Sequence, residues 1–576
     1  MKHLLALKLL MAFAVCYCQP VSQSGTYVAD SVYFELPHQH NHSNTLIAVN
    51  SFSADGFVPY SGGFWLYPRV ESNTWENQQF SNSPFLSWQL VDTQQVRGPL
   101  KKANVVRVMH IEHNGDTSEQ VYFVHVSPGG MPHQLPVVHI FVDSTDAFGA
   151  EGFYGPGTGM DLNFPTSGYR WNYALTPEQA KHGLFSESRI EKKASISVFT
   201  AAGTEEFKQH CGVRISGNSS VNYYNKSMAL VARKQYSSHH NRFATSLYGS
   251  PGEYKWLKLR AGGSTLPYRI GANEIVLTAI DGLCIGETPV TPVVTYLNGS
   301  YWSLSFCQDK PGKYNLERLT GVDSDSFSVG MLNRFLLADD PMLYHLMSNG
   351  LDTSLTVFFT HGGNRYLCNG MSYYTVVSEG SEEPFEHLLQ QLVDSMVSDV
   401  TVKNTGNGQV CHMELKPGDN FLTLQRLMNV DPFLYYLSVV DYFEVCDALT
   451  NNLEFAYSGQ TGLLPVARDF DCAMMGMNSN AWQWYAMVDT FQPTGFARFI
   501  TEVIMSSATG RNRLALAYQD VVNTRLNNLR LGPVAQQLTG IIDQNYTEMH
   551  ESWGGFPNGG ATVANQDSAN DQHVVF

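Results

Sequence analysis

The sequence contains few charged residues, and the basic ones are the scarcer. Asp, Glu, Lys and Arg make up 15% of the 576 residues, and 36 basic side chains against 52 acidic ones give a net charge of −16. A protein that binds the phosphate backbone of a nucleic acid needs a basic surface, so this balance argues against nucleic acid as a partner. Because 43% of the residues are hydrophobic, the chain can build a core, which excludes wholesale disorder.

Several motifs of well-known enzyme classes are also missing. The chain has no GxSxG elbow, no HExxH pair and no Walker loop, so we exclude the hydrolases, zinc peptidases and P-loop enzymes that depend on them. It has no CxxC spacing either, which argues against a structural zinc site.

No segment beyond the N-terminus is long and apolar enough to span a membrane, which takes about 20 residues. The N-terminal apolar run, residues 4–15, is shorter, follows Lys2 and leads to a plausible cleavage point near Cys18. This order predicts a secretory signal peptide over residues 1–18 rather than a membrane anchor. We therefore expect a secreted protein, or one in the secretory-pathway lumen or on the extracellular surface. Without Lys2 and Lys8 the net charge is 34 − 52 = −18.

Seven of the nine cysteines lie beyond the predicted signal peptide. In an oxidising compartment we expect some of them to form disulfides, and the odd number leaves one over. Asn-x-Ser/Thr sequons agree with a glycoprotein on this route. They lie at Asn41, Asn218, Asn225, Asn298 and Asn545.

The first part of the chain is typical of β-structure. Between residues 26 and 130, short runs of β-branched and aromatic residues alternate with Gly, Pro, Asn and Asp, which predicts a small β-sandwich. Pro and Gly at 127–136 mark its boundary. GGF at 62–64, PLKKANVVRV and YFVHV resemble the chitobiase C-terminal-like module that often precedes secreted catalytic domains. An unrelated β-sandwich spacer is the alternative.

Beyond that boundary, strands come first and helices follow. We predict a hairpin around the Ala-Ala-Gly-Thr turn at 201–204, a helix at about 268–281, and a second hairpin at the Asn298-Gly299 turn. From about residue 385 the periodicity is helical.

Within this helical part, a long helix is expected to have Asp431 as its N-cap and Pro432 at its first position. Two or three helices follow at 496–549, and 553–576 has the composition of a loose tail. The order of elements predicts an α+β protein in which two lobes enclose a cleft.

The acidic residues after the long helix have a distinctive order. Asp447 is predicted at the end of that helix, and Asn452 follows five residues later. A strand pair then leads to Asp469-Phe470-Asp471. Enzymes of the protein-kinase type arrange their catalytic base and metal ligands in this way, and Mg²⁺ prefers carboxylate and amide oxygens. This order predicts Asp447 as the base, with Asn452 and Asp469 as metal ligands.

A basic residue that could hold nucleotide phosphates occurs upstream. Lys226 begins a predicted strand directly after the polar loop GNSSVNYYN. Kinases bind ATP through a strand lysine behind such a loop, and that lysine needs an acidic partner. Glu274, on the predicted helix 268–281, is one candidate partner, and Asp309, after the second hairpin, is the other.

Taken together, these segments resemble the CotH kinase family, which contains secreted or spore-coat atypical protein kinases. The resemblance covers about residues 135–550. The stretches that carry it are GVRISGNSS, NKSMALVARKQY, WLKLRAGGS, VTYLNGSYWSLSFCQDKPG, DYFEVCDALTNNLEFAY and LPVARDFDCA.

The resemblance implies a two-lobed kinase-like fold and assigns roles to single residues. Lys226 resembles the nucleotide-binding lysine of the family, Asp447 its catalytic aspartate, and Asn452 and Asp469 its metal-binding residues. Asp309-Lys310 stands where the family usually has Glu-Lys. Two further positions depart from the family pattern, with Asn451 in place of His and Arg468 in place of Trp.

We therefore expect a secreted kinase that uses ATP with Mg²⁺ or Mn²⁺ and phosphorylates Ser or Thr of exported or coat proteins. The negative charge of the chain favours basic patches on such substrates. A non-catalytic surface adhesin or coat protein on the same fold is the alternative, and the sequons and the leading β-sandwich agree with it. The two catalytic carboxylates of a glycosidase could also explain the aspartates, but a glycosidase gives no reason for Asn452 or Lys226.

Overall fold

The computed structural model describes most of the chain in separate ranges. They are 21–29, 31–36, 44–71, 100–128, 133–148, 152–153, 191–216, 227–237, 240–261, 271–332, 334–337, 357–369, 377–405, 408–445, 448–449, 453–470, 473 and 495–553. The predicted signal peptide and residues 554–576 of the predicted tail lie outside these ranges. So do three of the candidate site residues, Lys226, Asp447 and Asn452.

A small two-layer β-structure comes first. Its larger sheet has the strand order β1-β9-β8-β3-β4, and β2 pairs with β5 in the smaller one. The two layers share a core that includes Phe34, Val106 and Val124. The strands are β1 (Gly25–Tyr27), β2 (Val32–Phe34), β3 (Thr45–Val49), β4 (Val58–Pro59), β5 (Phe64–Leu66), β8 (Asn104–Ile111) and β9 (Thr117–Val126). This structure lies largely within the region for which the sequence predicts a β-sandwich.

The next strands close into a barrel. The order is β16-β13-β12-β11-β10-β17-β18, and β18 pairs back with β16. They are β10 (Val137–Phe141), β11 (Lys192–Phe199), β12 (Glu205–Ile215), β13 (Met228–Val231), β16 (Trp256–Arg260), β17 (Val290–Leu297) and β18 (Ser300–Gln308). Apolar side chains such as Ile196, Leu259 and Trp302 form a single buried cluster inside the barrel. Closure removes the exposed sheet edges that these strands would otherwise have.

Shorter strands attach to the barrel or lie beside it. The strands β7 (Leu100–Lys102) and β6 (Arg69–Glu71) extend from β18, and β14 (Phe243–Thr245) pairs with β15 (Gly252–Tyr254).

The two-layer structure packs directly onto the barrel. The Nε2 atoms of His125 on β9 and His139 on β10 are 3.0 Å apart, and Phe123 stacks on the His139 ring at 4.6 Å. Burial, together with the neighbouring His125 and His133, holds the pKa of His139 well below its usual value. His139 is therefore uncharged at neutral pH.

Both predicted hairpins are confirmed. The strands β11 and β12 pair antiparallel around residues 200–204, and β17 pairs with β18 across Asn298-Gly299. Asn298 and Gly299 have φ values of 50° and 76°, the left-handed pair that a two-residue hairpin turn requires. The Asn298 side chain is buried and bonds to the Val142 backbone through both of its polar atoms. The Asn298 side chain therefore has a structural role, and in the folded protein its buried amide is inaccessible to a glycan.

The remaining strands form three small sheets. One has the order β23-β19-β26-β27, another β20-β22-β21, and β24 pairs with β25. They are β19 (Ser328–Gly330), β20 (Arg334–Leu337), β21 (Val357–His361), β22 (Asn364–Asn369), β23 (Val377–Glu379), β24 (Val397–Thr405), β25 (Gly408–Leu415), β26 (Glu454–Ser458) and β27 (Gly462–Val466). The β24–β25 hairpin lies in a stretch for which the sequence predicted helical structure. Its valines and threonines favour the extended backbone.

Nine helices lie in the described part of the chain. They are α1 (Ser144–Phe148), α2 (Ala272–Ile280), α3 (Lys313–Thr320), α4 (Glu383–Met396), α5 (Asn420–Leu427), α6 (Asp431–Tyr442), α7 (Phe496–Ser506), α8 (Ala508–Thr524) and α9 (Asn528–Trp553). None of them is long and apolar enough to cross a bilayer. The predicted helix near 268–281 and the helices at 496–549 are confirmed.

The helix α6 differs from the prediction at both ends. Val430, not Asp431, occupies its N-cap position, and the Asp431 carboxylate instead pairs with Arg513 on α8. The helix ends at Tyr442, five residues before Asp447, so the prediction that Asp447 belongs to its end is wrong. Glu444 has a φ of 50°, and a left-handed residue there stops the helix from continuing.

One large core joins the barrel to the helices. It includes Tyr296 and Phe306 on the outside of the barrel, Ile275 on α2, Leu437 on α6 and Ile500 on α7. The chain is α+β, as predicted, whereas the two-lobed division stays a prediction. Cys211, Cys284 and Cys307 are free thiols, so the expected pairing is not observed at these three cysteines.

Candidate functional site

Arg260 is the centre of a charged cluster on the outside of the barrel. On β16, Leu257 and Leu259 point into the barrel core, and strand alternation therefore places Lys258 and Arg260 on the outer face. The Arg260 side chain is 8% exposed. A buried guanidinium requires acidic partners, because removing a charge from water is costly.

Two carboxylates contact this arginine. Arg260 Nε lies 3.5 Å from Glu274 Oε1, and Arg260 Nη1 donates a hydrogen bond of 3.2 Å to Asp469 Oδ1. Glu274 and Asp469, two of the residues that the sequence singled out, are therefore brought to the same place. Arg260 was not among the predicted site residues, and it is the residue that joins them.

Glu274 is fixed by its position on α2. It lies in the first turn, where the positive end of the helix dipole stabilises a carboxylate, and its side chain is 5% exposed. Asn273 donates a hydrogen bond of 3.0 Å to Glu274 Oε1. The helix begins after Gly271, which has a φ of 95° and lies where a Cβ would come within 2.9 Å of Ile542 on α9. The positive φ disfavours a residue with a side chain at this position, directly before α2.

Asp469 reaches the cluster from the loop after β27. Its φ is 56°, a left-handed conformation that Asp adopts more readily than most residues. The next residue, Phe470, is buried in the large core, and its backbone N–H donates a 2.9 Å hydrogen bond to Asn273 Oδ1. Asn273 thus attaches this loop to the start of α2, another role that sequence reasoning missed.

The charge of Asp469 is set by its neighbours. Partial burial raises the pKa of its carboxyl, but the nearby Arg260, Lys258 and Arg468 outweigh this and hold the pKa below its usual value. The side chain is 43% exposed, so Asp469 is an ionised carboxylate that solutes can reach. Arg468, which stands where the family has Trp, itself pairs with Glu454 on β26 at 3.0 Å.

Asp309, the other candidate partner for Lys226, lies elsewhere. The pairing of β16 with β18 sets Arg260 opposite Phe306 in the large core, and Leu259 opposite Cys307 in the barrel core. Asp309 influences the pKa of Cys307, so it belongs to the barrel side. Its Oδ1 accepts from the Lys310 backbone at 2.8 Å, and Arg318 Nε is 3.9 Å from Oδ2.

The environment of Asp309 favours the protonated form. The side chain is 2% exposed, and burial raises its pKa to about 7 in spite of the opposing effect of Arg318. The structure therefore does not place Asp309 together with Glu274 and Asp469. Lys226, Asp447 and Asn452 stay predictions.

The donor atoms in this cluster suit a divalent cation only in part. The described residues contain no group of three His, Cys, Asp or Glu side chains arranged to hold a metal. Mg²⁺, however, commonly takes only one or two protein carboxylates and completes its shell with phosphate oxygens and water. Asp469, ionised and accessible, fits that requirement as one ligand.

The sequence carried a weak signal for Arg260. In WLKLR, charged residues alternate with leucines directly before Ala-Gly-Gly. Alternation alone describes an ordinary surface strand, and only the burial of Arg260 distinguishes it from a solvated residue.

Comparison with known proteins supports the resemblance in one part of the chain. No curated protein matches the chain. Residues 371–574 match the sequence model of the family described as CotH kinase protein. The matched segment contains Asp447, Asn452 and Asp469, whereas Lys226, Arg260 and Glu274 precede it. The match supports the resemblance over residues 371–574 and points to kinase or transferase activity in general.

Proposed function

We propose that this protein is a secreted atypical protein kinase, which transfers phosphate from ATP, complexed with Mg²⁺ or Mn²⁺, to Ser or Thr of exported proteins. The observation that carries the proposal is the contact of Arg260 with both Glu274 and Asp469. Protein kinases pair a strand cation with a helix glutamate, and a carboxylate that follows a β-hairpin binds the metal. Here, too, a strand cation, a helix glutamate and a carboxylate after a β-hairpin lie together, on β16, α2 and the loop after β27.

The chemistry of each group suits this reaction. A guanidinium can bind two phosphate oxygens at once, so Arg260 would help to neutralise the nucleotide. Asp469 supplies an ionised oxygen for the divalent cation. We assign the remaining roles as the family resemblance implies, with Lys226 at the nucleotide phosphates, Asp447 as the base and Asn452 at the metal.

The decisive experiment measures Mg²⁺- or Mn²⁺-dependent phosphate incorporation from labelled ATP, together with the thermal shift that nucleotide and metal produce. We expect Asp469→Asn to lose both signals, because it removes a metal ligand. Asp447→Asn should abolish transfer and largely retain the thermal shift, since it removes only the base. Asp394→Asn, at an exposed position on α4, is the control for loss of an aspartate charge.

The same measurements test the alternative of a non-catalytic adhesin or coat protein. If wild-type protein shows no thermal shift and no phosphate incorporation with either metal, the kinase proposal fails and the alternative takes its place. Identification of the mature N-terminus by sequencing tests the proposed secretion, which requires removal of the signal peptide.

A further inference from the structure

One part of the outer surface of the barrel concentrates positive charge in this acidic protein. Trp256 on β16 and Tyr314 on α3 pack with Ala229 and Val231 in a small cluster on the outside of β13 and β16. Basic residues surround these two rings, and we call the set the basic surface. Its members are Arg214, Arg233, Lys234, Arg242, Lys255, Lys310 and Lys313.

The two rings hold cations at short range. Arg214 Cζ is 4.8 Å from the Trp256 ring centroid, and Lys310 Nζ is 5.0 Å from it. Around Tyr314, the charged ends of Arg242, Lys313 and Lys255 lie at 4.7, 5.3 and 5.8 Å. The negative face of an aromatic ring attracts a cation held at such distances. The rings therefore keep like charges close together that would otherwise repel one another.

The crowding is evident at Lys255. Burial first, and then the nearby Arg233, Arg242 and Lys234, lower the pKa of its ammonium to about 8. Its Nζ bonds only to the neutral Asn241 among the contacts observed. A partner that brings negative charge to this surface lowers its electrostatic free energy.

Acidic residues neutralise part of this charge. Among the pairs in the described part of the chain, four basic residues of the surface each face one carboxylate. These are Arg233–Glu191, Arg242–Glu317, Lys310–Glu379 and Lys313–Asp325. Lys234 and Lys255 lie outside these pairs, so the local balance is positive in a chain whose net charge is −16.

The basic surface is continuous with the candidate site. Trp256, Lys258 and Arg260 alternate along the same outer face of β16. Trp256 and Arg260 are four residues apart, which corresponds to about 13 Å along an extended strand. An extended peptide covers that distance with about four of its own residues.

We propose that the basic surface binds an acidic segment of the protein substrate, centred about four residues from the Ser or Thr that receives phosphate. The proposal rests on the proposed kinase function for its phosphoacceptor. It reverses the preference for basic substrates that the net charge alone predicts. A nucleic acid is a poorer fit, because the strongly negative remainder of the protein repels a long polyanion.

The test uses the full chain, without nucleotide, and fluorescent 12-residue peptides with one central Ser. One peptide carries Asp and Glu three to five positions from the Ser, the second carries Asn and Gln there, and the third Lys. We expect the acidic peptide to bind about tenfold more tightly than the neutral one, with an affinity that falls as salt rises. Equal affinities of wild-type protein for the acidic and neutral peptides overturn the proposal, and this comparison needs no variant.

Two triple variants with the same change of charge locate the binding. The first is Lys234→Gln/Arg242→Gln/Lys313→Gln on the basic surface, and it should lose about tenfold in affinity for the acidic peptide. The control is Lys416→Gln/Arg511→Gln/Arg530→Gln, at exposed positions of the helical part, and it should change affinity less than about twofold. Equal losses in the two variants, or tighter binding of a 12-nucleotide RNA than of the acidic peptide, overturn the proposal.

Phosphate incorporation into the three peptides separates this proposal from the proposed function. A protein that phosphorylates all three peptides equally is a kinase without the docking surface. A protein that binds the acidic peptide but neither binds nor uses ATP retains the surface and refutes the kinase function. Faster phosphorylation of the acidic peptide, lost in the first triple variant alone, supports both.

Discussion

Two aspartates next to the two faces of strands β16 and β18 are in opposite electrostatic states. On the outer face, Asp469 touches Arg260 at 3.2 Å, stays 43% exposed and has a lowered pKa. On the barrel side, Asp309 is 2% exposed, has its nearest guanidinium contact at 3.9 Å and has a pKa of about 7. The first environment maintains a negative charge, to which a metal cation would be attracted, and the second suppresses one. Burial and the distance to an arginine, more than residue type, decide what each aspartate can do.

The largest expected effect concerns Asp309. The folded protein holds its proton up to about pH 7, whereas the unfolded chain releases it near 3.8. The folded state therefore binds more protons between these values, and this group makes the free energy of unfolding fall as pH rises, by up to about 4 kcal/mol. Asp309→Asn removes the titration, so the variant should gain stability relative to wild type between pH 4 and pH 8. Urea unfolding at a series of pH values measures it.

The control for that series is Asp520→Asn at an exposed position on α8. Its stability should follow that of wild type across the range. If the Asp309→Asn curve also runs parallel to wild type, Asp309 is not protonated in the folded protein, and the contrast between the two faces disappears.

Arg260→Met should have the next largest effect. It leaves Glu274, 5% exposed, without the guanidinium that faces it, and breaking a buried ion pair costs about 3 kcal/mol. Arg318→Met beside Asp309 is the matched control, and it should cost less than about 1 kcal/mol, because Arg318 is 31% exposed and more distant from its carboxylate. Urea unfolding at pH 7 compares the two. Equal losses would show that the two arginines are equivalent.

Asp469→Asn should have the smallest effect on stability. Its side chain is 43% exposed, so solvent screens the pair with Arg260, and the loss should stay below about 1 kcal/mol. Since the folded-state pKa is lowered, this contribution exists above the ordinary Asp pKa of 3.8 and vanishes as pH falls through the folded-state value. Thermal unfolding at pH 7 and pH 3 measures it. A loss as large as that of Arg260→Met would assign Asp469 a structural role.

Local elements could be predicted from the sequence because their causes are local. The Asn298-Gly299 turn needs two left-handed residues, and these two residue types adopt that conformation most easily. The helix α2 and the three C-terminal helices follow from apolar periodicity. The β24–β25 hairpin was missed, since β-branched residues in a region of helical neighbours give conflicting signals.

Other predictions failed where a distant partner decided the outcome. Asp431 was expected to cap α6, but Arg513, distant in sequence, pairs with its carboxylate. Asn298 begins an Asn-x-Ser sequon, yet its side-chain amide is buried and forms hydrogen bonds with the Val142 backbone. Of the predicted site residues, Glu274 and Asp469 come together, but the arginine that joins them was not foreseen.

The sequence by itself determined the α+β content, the hairpin turns, the helices from α7 to α9 and the resemblance that the match over residues 371–574 supports. These depend on residue type and on neighbours within a few positions. Only the tertiary structure decided that Arg260 faces Glu274 and Asp469, that Asp309 lies apart from them, and that positive charge gathers around Trp256 and Tyr314. Coulomb energy and desolvation depend on distances through space, and barrel closure sets those distances between residues far apart in the chain.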